Sequence, residues 1–293
     1  MFQIIVLFSI VSLSLAASPI RRYSYEHSFK APFFLVRGTD LPFWDYGGSA
    51  VISQESLRLT PASANREGYI WNQKVMNRRN WEVEIEFRVG GGGRMGAEGF
   101  ALWYVSPSPS NWGDRSVFGS QNNWQGLGLI FDTFDNDNKR DNPKITAILN
   151  DGSFTWNQPQ DGGTNVPALG SCTSVYRNPY RNSKVRVSYI DGQLSVDIDA
   201  LYTGSYVSCM GPVPVELPTG YRFGLSAKTG PIFDFHDVYS FAVYTRDEDS
   251  PTPPNNDKSQ QAQQRRNDRR NDRTLRDEAR RGDDNNNNNN NNN

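Results

Sequence analysis

Residues 81–89, with the sequence WEVEIEFRV, carry an apolar side chain at every second position. Successive side chains of a β-strand point to opposite faces, so this period of two predicts a strand with one face in an apolar core. Glu82, Glu84, Glu86 and Arg88 then lie on the opposite face. The pattern therefore indicates that this part of the chain belongs to a β-sheet that covers a core.

Several further segments have strand-like patterns, and turns rich in Gly, Pro, Asn and Asp separate them. Residues 185–198 form a predicted hairpin, because Asp191 and Gly192 are typical residues of a two-residue turn. The 25 glycines, 17 prolines and 12% aromatic residues also suit strands and turns better than helices. These features predict an all-β domain, either a sandwich or a barrel. The other predicted strands are residues 49–59, 69–73, 99–105, 126–131, 144–149, 221–226 and 238–244.

The two ends of the chain differ from its middle. Residues 1–16 form a short apolar run that ends in small residues, which predicts a signal peptide; a buried N-terminal strand is the alternative. The predicted folded domain covers residues 21–247. Residues 248–293 are rich in Asn, Gln and charged side chains, so we expect a disordered linker and a low-complexity tail. No segment after the first 16 residues is long and apolar enough to predict a membrane span.

The chain contains two cysteines, Cys172 and Cys209. The secretory pathway is oxidising, so a signal peptide favours a disulfide between them; two unpaired buried thiols are the alternative. The net charge of −1 gives no indication of binding to nucleic acid or to a membrane surface.

An acidic loop carries the densest functional signal. Residues 131–143 read FDTFDNDNKRDNP, and Asp161 follows with two glycines. Carboxylates this close repel one another unless a cation holds them together, and Ca²⁺ takes 6–8 oxygen ligands from carboxylates, amides and carbonyls. The loop lacks the Gly and the terminal Glu of an EF-hand. It therefore predicts a calcium site of another type, and a merely solvated acidic turn is the alternative.

From about His27 to Tyr244 the sequence resembles the animal and fungal L-type lectins that act as mannose-binding cargo receptors between the endoplasmic reticulum and the Golgi. About three quarters of the chain is covered, and the two cysteines occupy the family's disulfide positions. The residues that carry the resemblance are 28–33 (SFKAPF), 42–44 (PFW), 80–84 (NWEVE), 96–104 (GAEGFALWY), 117–120 (VFGS), the loop 132–142, 223–230 (FGLSAKTG) and 236–238 (HDV).

The resemblance implies an antiparallel two-sheet β-sandwich of the L-type lectin kind, with calcium beneath a sugar site. High-mannose glycoproteins would be the partners, in the lumen of the endoplasmic reticulum, the intermediate compartment and the Golgi. Family members are attached to a membrane, and whether this chain forms a homo-oligomer stays open. One calcium would be held by Asp132, the Phe134 carbonyl, Asn136 and Asp161, and a second by Asp135, Asp137, Asn142 and Asp161. The sugar would be bound by Asn65, Glu98, Asn136, Gln158 and Gly230.

Four positions depart from the family pattern in the sugar site. Glu98 replaces an aspartate, Gln158 replaces a histidine, Asn65 replaces a serine, and Pro231 replaces a glycine and removes a backbone N–H. We expect Gln158 to be flexible and to lose rotamer entropy on binding. These departures leave a second hypothesis open, a lectin-fold protein-interaction module with a degenerate sugar site.

An enzyme is the third hypothesis, because three glutamates alternate on the strand 81–89 and His236 adjoins Asp237. Alternating glutamates are usually a solvated face, and adjacent strand residues point to opposite faces, so we expect no catalytic site. Aromatic side chains could stack on sugar rings but more often pack in a core. Those concerned are Tyr104, Trp112, Phe118 and Trp124.

Overall fold

The computed structural model describes residues 21–33, 41–106 and 115–246. The predicted signal peptide, the predicted tail and Trp112 lie outside these residues. Strands dominate the described part, and its two helical segments are single 3-10 turns at Tyr25–His27 and Gln158–Gln160. No helix among the described residues is long and apolar enough to cross a membrane.

Two antiparallel sheets form the fold, as the resemblance predicts. Sheet 1 has the order β14-β13-β12-β7-β16-β5-β4, with β1 and β2 also paired to β16, and sheet 2 has the order β11-β10-β9-β8-β15-β6-β3. The strands are β1 Arg21–Tyr23, β2 Phe29–Lys30, β3 Trp44–Gly48, β4 Val51–Ile52, β5 Leu57–Thr60, β6 Glu67–Asn72, β7 Trp81–Gly90, β8 Gly99–Val105, β9 Gln125–Asp132, β10 Lys144–Asp151, β11 Ala168–Thr173, β12 Ser183–Ile190, β13 Gln193–Asp199, β14 Val207–Pro214, β15 Arg222–Lys228 and β16 Phe235–Arg246.

The main core is one apolar cluster, formed by the buried side chains that alternate along the strands. β7 follows the predicted alternation, because Trp81, Val83, Ile85, Phe87 and Val89 are all buried in this cluster. A second apolar cluster includes Trp71, Trp103 and Trp124 and packs with residues of the loops 115–124 and 154–166. Tyr104, Phe118 and Trp124 are each at most 2% exposed, so they are core residues and offer no sugar-stacking surface.

One predicted strand was wrong. Residues 49–59 are not continuous: β4 and β5 pair as a hairpin, and a turn at residues 53–56 separates them. The Ser53 Oγ atom accepts the backbone N–H groups of Glu55 and Ser56 and donates to the Ser56 carbonyl. Serine favours turns because its hydroxyl bonds neighbouring backbone groups in this way.

Five strands escaped prediction, namely β1, β2, β3, β11 and β14. Strand β14 includes Gly211, Pro212 and Pro214 and lies at the edge of its sheet, where such residues are tolerated. Strand β11 is also an edge strand, and none of its residues is fully buried. Edge strands therefore lack the apolar alternation on which the prediction depends.

A disulfide joins the edge strands β11 and β14. Cys172 in β11 and Cys209 in β14 are bonded, with their Cα atoms 5.2 Å apart. The bond connects one edge of sheet 2 to one edge of sheet 1. The predicted Cys172–Cys209 pairing is confirmed.

Candidate functional site

The predicted ligand-binding residues gather where the central strands of sheet 2 begin or end. In the register of this sheet, Gly99 of β8 pairs with both Asp132 of β9 and Lys228 of β15. The start of β8 therefore lies beside the ends of β9 and β15, and the segments before β8, after β9 and after β15 are close together at this end of the sheet. These segments carry Glu98, the acidic loop and Gly230, respectively. Asn65 precedes β6 at the same end of the sheet, and its N–H donates to the Gly230 carbonyl at 3.0 Å.

The structure brings Asp135 and Asp137 of the acidic loop together with Asp161. One carboxylate oxygen of each lies within 4.8 Å of the others. Two oxygens on opposite sides of a calcium ion are separated by about 4.8 Å, since calcium–oxygen distances are about 2.4 Å. The cluster therefore has the dimensions of a shared calcium site.

Asp161 organises this loop from a distant part of the chain. Its carboxylate accepts the backbone N–H groups of Asn136 at 3.0 Å and Asp137 at 3.1 Å. Burial is the main reason that the pKa of Asp161 is raised to about 6, and the neighbouring carboxylates of Asp137 and Asp135 act in the same direction. Asp161 thus fixes the backbone of the loop, although burial and the neighbouring carboxylates disfavour its negative charge.

Asp132 lies at the end of β9 and is 4% exposed. Its Oδ1 accepts the Phe134 N–H at 3.0 Å, whereas its buried Oδ2 has no hydrogen-bond partner. Burial first, and then the charge of Asp161, raise the pKa of Asp132 well above its usual range.

Asp135 Oδ1 and Asn142 Oδ1 are also buried without partners. An unpaired buried polar atom is unfavourable, and bound cations would satisfy these oxygens. The donors present therefore fit Ca²⁺, which prefers carboxylate, amide and carbonyl oxygens.

Two predicted ligands make other contacts. The exposed ammonium of Lys139 pairs with Asp137 Oδ2 at 2.6 Å and lowers the pKa of Asp137. Because Lys139 is exposed to solvent, this ion pair is weak and leaves Asp137 available to a metal ion. The Phe134 carbonyl accepts Asn142 Nδ2–H at 2.8 Å, which holds both ends of the loop together.

Glu98, which precedes β8, approaches Gly230, which follows the paired strand β15. A Cβ atom at Gly230 would lie 2.8 Å from Glu98 Oε1, so glycine makes this approach possible. Burial raises the pKa of Glu98, and Lys228 opposes the shift. The Glu98 carbonyl accepts the Thr133 N–H at 2.9 Å and the Thr133 hydroxyl at 3.0 Å. Glu98 is thereby tied to the residue that follows Asp132.

Gln158 is held rather than free. Its Oε1 accepts Trp156 Nε1–H at 2.7 Å, and its Nε2 donates to Asn136 Oδ1 at 3.1 Å. The prediction that Gln158 is flexible was wrong, because sequence spacing could not show that these two partners occupy both ends of its amide. Gln158 and Asn136 form one oriented amide pair, while Pro231 lies exposed beyond Gly230.

Two residues that support the site, Tyr176 and Trp156, belong to no motif in the sequence. The hydroxyl of the fully buried Tyr176 donates to the Asp132 carbonyl at 2.9 Å and lies 3.2 Å from the Lys144 carbonyl. Trp156 reaches Gln158 from two positions earlier in the chain. A buried Trp N–H or Tyr O–H needs a polar partner, but a single sequence does not reveal which one.

The His236–Asp237 pair is structural. His236 is 1% exposed, its Nδ1 lies 2.7 Å from the Thr60 hydroxyl, and burial lowers its pKa to about 4. Asp237 instead forms a bidentate ion pair with Arg58. The glutamates of β7 also have structural partners, because Glu82 and Glu84 both contact Arg21 and Arg186.

This chain belongs to the legume-like lectin family, whose sequence model matches residues 20–250. It is 38% identical over 243 residues to mouse ERGIC-53, an alignment that covers 82% of this chain and 46% of the relative. It is 34% identical over 239 residues to the human vesicular integral-membrane protein VIP36, covering 77% and 65%, respectively. The chain thus spans about half the length of ERGIC-53.

Solved structures agree with this assignment. The Ca²⁺-bound exoplasmic/lumenal domain of VIP36 matches with a TM-score of 0.69 and 34% identity, covering 76% of this chain and 92% of that domain. The same domain bound to Ca²⁺ and Man3GlcNAc matches with a TM-score of 0.69 and 32% identity, covering 81% and 95%. The predicted resemblance and the two-sheet fold are confirmed.

Proposed function

We propose that this protein is a calcium-dependent lectin that binds high-mannose N-glycans of glycoproteins. The observation that carries the proposal is that two groups of residues lie close together at one end of the strands of sheet 2. The orphaned oxygens of Asp132, Asp135 and Asn142 belong to the loop that is proposed to bind calcium. The amide pair Asn136–Gln158 adjoins this loop, because Asn136 belongs to it and accepts the hydrogen bond from Gln158.

Calcium would neutralise the acidic loop and fix its backbone. The proposed ligands are the predicted ones, Asp132, the Phe134 carbonyl, Asp135, Asn136, Asp137, Asn142 and Asp161. Asn136 lies between Asp135 and Asp137, so an ordered loop presents its amide in one orientation. Sugar hydroxyls then meet preoriented groups, and less conformational entropy is lost on binding.

The sugar would contact Asn65, Glu98, Asn136, Gln158 and Gly230. Carboxylate and amide side chains suit mannose because they can accept hydrogen bonds, and the amides can also donate them. We assign no hydrolytic role to the site.

The cellular setting follows from the family. VIP36 is described as vesicular and integral to the membrane, and its solved domain as exoplasmic/lumenal. We infer the same lumenal side for this domain, with secretory glycoproteins as cargo in transport from the endoplasmic reticulum to the Golgi.

Titration calorimetry with a mannotrioside tests the binding site. Asn136→Ala should abolish measurable binding in saturating calcium, because this amide belongs to both the ion loop and the sugar site. Asn182→Ala is the matched control, since Asn182 is similarly half-buried but donates to Glu86 on sheet 1. Equal affinities for the two variants would contradict the assignment.

The substitution Glu98→Asp should tighten binding. Removing one methylene draws the carboxylate back from Gly230 and frees space for a hydroxyl of the sugar. We expect about a tenfold gain in affinity, equivalent to about 1.4 kcal/mol. The same titration measures it, and a weaker complex would show that the longer side chain is the better fit.

One observation favours the alternative of a protein-interaction module. Pro231 offers no N–H beside Gly230, so the site has one backbone donor fewer than the family pattern. Under this alternative, the wild type binds no mannoside with or without calcium, and Glu98→Asp does not restore binding.

A further inference from the structure

The segment before Glu98 has little intrinsic order. Residues 90–96 read GGGGRMG, so five of the seven are glycines. Glycine loses more conformational freedom on folding than any other residue, and such a segment needs external contacts to hold one conformation. Glu98 follows this segment after Ala97 and has a positive φ of 21°. The position of Glu98 therefore depends on what fixes this segment.

A buried ion pair provides the contacts. Asp234 is fully buried, and its carboxylate accepts Nε–H of Arg177 at 2.7 Å and Nη2–H at 2.9 Å. The same carboxylate accepts the backbone N–H of Ala97 at 3.1 Å. Arg177 Nη2 also donates to the Gly93 carbonyl at 3.0 Å. One Arg–Asp pair thus binds both the middle and the end of the segment.

The neighbouring residue completes the attachment. The side chain of Asn178 accepts the Gly91 N–H at 2.9 Å and donates to the Gly91 carbonyl at 3.1 Å. Asp234 itself lies four residues after Gly230, so it belongs to the loop that faces Glu98. The ion pair therefore joins the segment that ends at Glu98 to the loop that contains Gly230.

We propose that Arg177 is a positioning residue of the sugar site. It fixes the carboxylate of Asp234, which holds the Ala97 N–H and thereby places Glu98 for a sugar hydroxyl. Arg177 itself does not touch the sugar. This inference rests on the proposed lectin function, because it assigns Glu98 to sugar binding.

The test compares Arg177→Met with a second ion pair of the same geometry. Arg58 donates Nε–H and Nη2–H to Asp237, both at 2.7 Å, on the outer face of sheet 1. Arg58→Met is therefore the control for the loss of a bidentate pair, although Arg58 is the more exposed arginine. Arg177→Lys is the milder variant, because lysine keeps the charge but loses the forked geometry.

Two quantities are measured on the full chain in saturating calcium. The first is the affinity for a mannotrioside, and the second is the amide hydrogen exchange of a peptide covering residues 91–98. Arg177→Met should lower the affinity at least tenfold and accelerate exchange, and Arg177→Lys should do both to a smaller degree. Arg58→Met should change the affinity less than twofold and leave exchange in this peptide unchanged.

The outcomes separate the two levels of the proposal. If the wild type binds the mannotrioside and both Arg177 variants bind it as tightly, the positioning role is overturned and the lectin function stands. The role is also overturned if Arg58→Met weakens binding as much as Arg177→Met does. If the wild type binds no mannoside, the lectin function and the role built on it both fail. Should Arg177→Met not fold, the result with Arg177→Lys decides.

Discussion

Calcium at about 100 times its dissociation constant is expected to raise the free energy of unfolding by about 2.7 kcal/mol. The reason is linkage, because the folded loop brings Asp135, Asp137 and Asp161 together and the unfolded chain does not. Thermal unfolding in calcium and in EGTA measures the effect as a shift of Tm. An identical Tm in the two conditions would contradict a calcium site in the acidic loop.

The substitution Asp161→Asn should remove this stabilisation. Its carboxylate belongs to the acidic cluster and also holds the loop backbone through Asn136 and Asp137. Asp191→Asn is the control, because Asp191 is an exposed acidic residue in the hairpin turn between β12 and β13, and asparagine also tolerates its positive φ. This variant should keep the full calcium shift.

Replacing both Cys172 and Cys209 by alanine is expected to lower the free energy of unfolding by about 4 kcal/mol. The bond closes a loop with a sequence separation of 37, and the chain-entropy relation gives this magnitude. Urea unfolding in saturating calcium measures it as a lower midpoint with a similar slope. Since the disulfide joins edge strands outside the acidic loop, calcium should still shift the Tm of this variant. A loss below about 1 kcal/mol would show that the edges are held mainly by packing.

The sequence predicted those strands that alternate between a core face and an outer face. β7 is the clearest case, and the hairpin of β12 and β13 was predicted from the turn at Asp191 and Gly192. β14 was missed because Gly211 and Pro212 interrupt any apolar pattern in an edge strand. β4 and β5 were predicted as one strand because the sequence gives no strong turn signal between them. The turn at Ser53 depends on local side-chain hydrogen bonds that only the structure shows.

The candidate site was predictable where a single segment contains it. The density of acidic residues in the loop 131–143 suggested either a calcium site or a solvated acidic turn, and the family resemblance favoured calcium. The contacts of Gln158 with Trp156 and Asn136 were not predictable, since they depend on how the loop after β10 folds back. The Arg177–Asp234 pair joins residues 57 positions apart and has no motif. Such pairings are set by the packing of the two sheets.

The central claim is that calcium enables this protein to bind high-mannose glycans. An array of immobilised glycans, probed with the full chain in millimolar calcium, in EGTA and after calcium is restored, tests it most directly. We expect binding to high-mannose structures in calcium, loss of that binding in EGTA, and recovery when calcium returns. Absence of binding in calcium, or equal binding in EGTA, would contradict it.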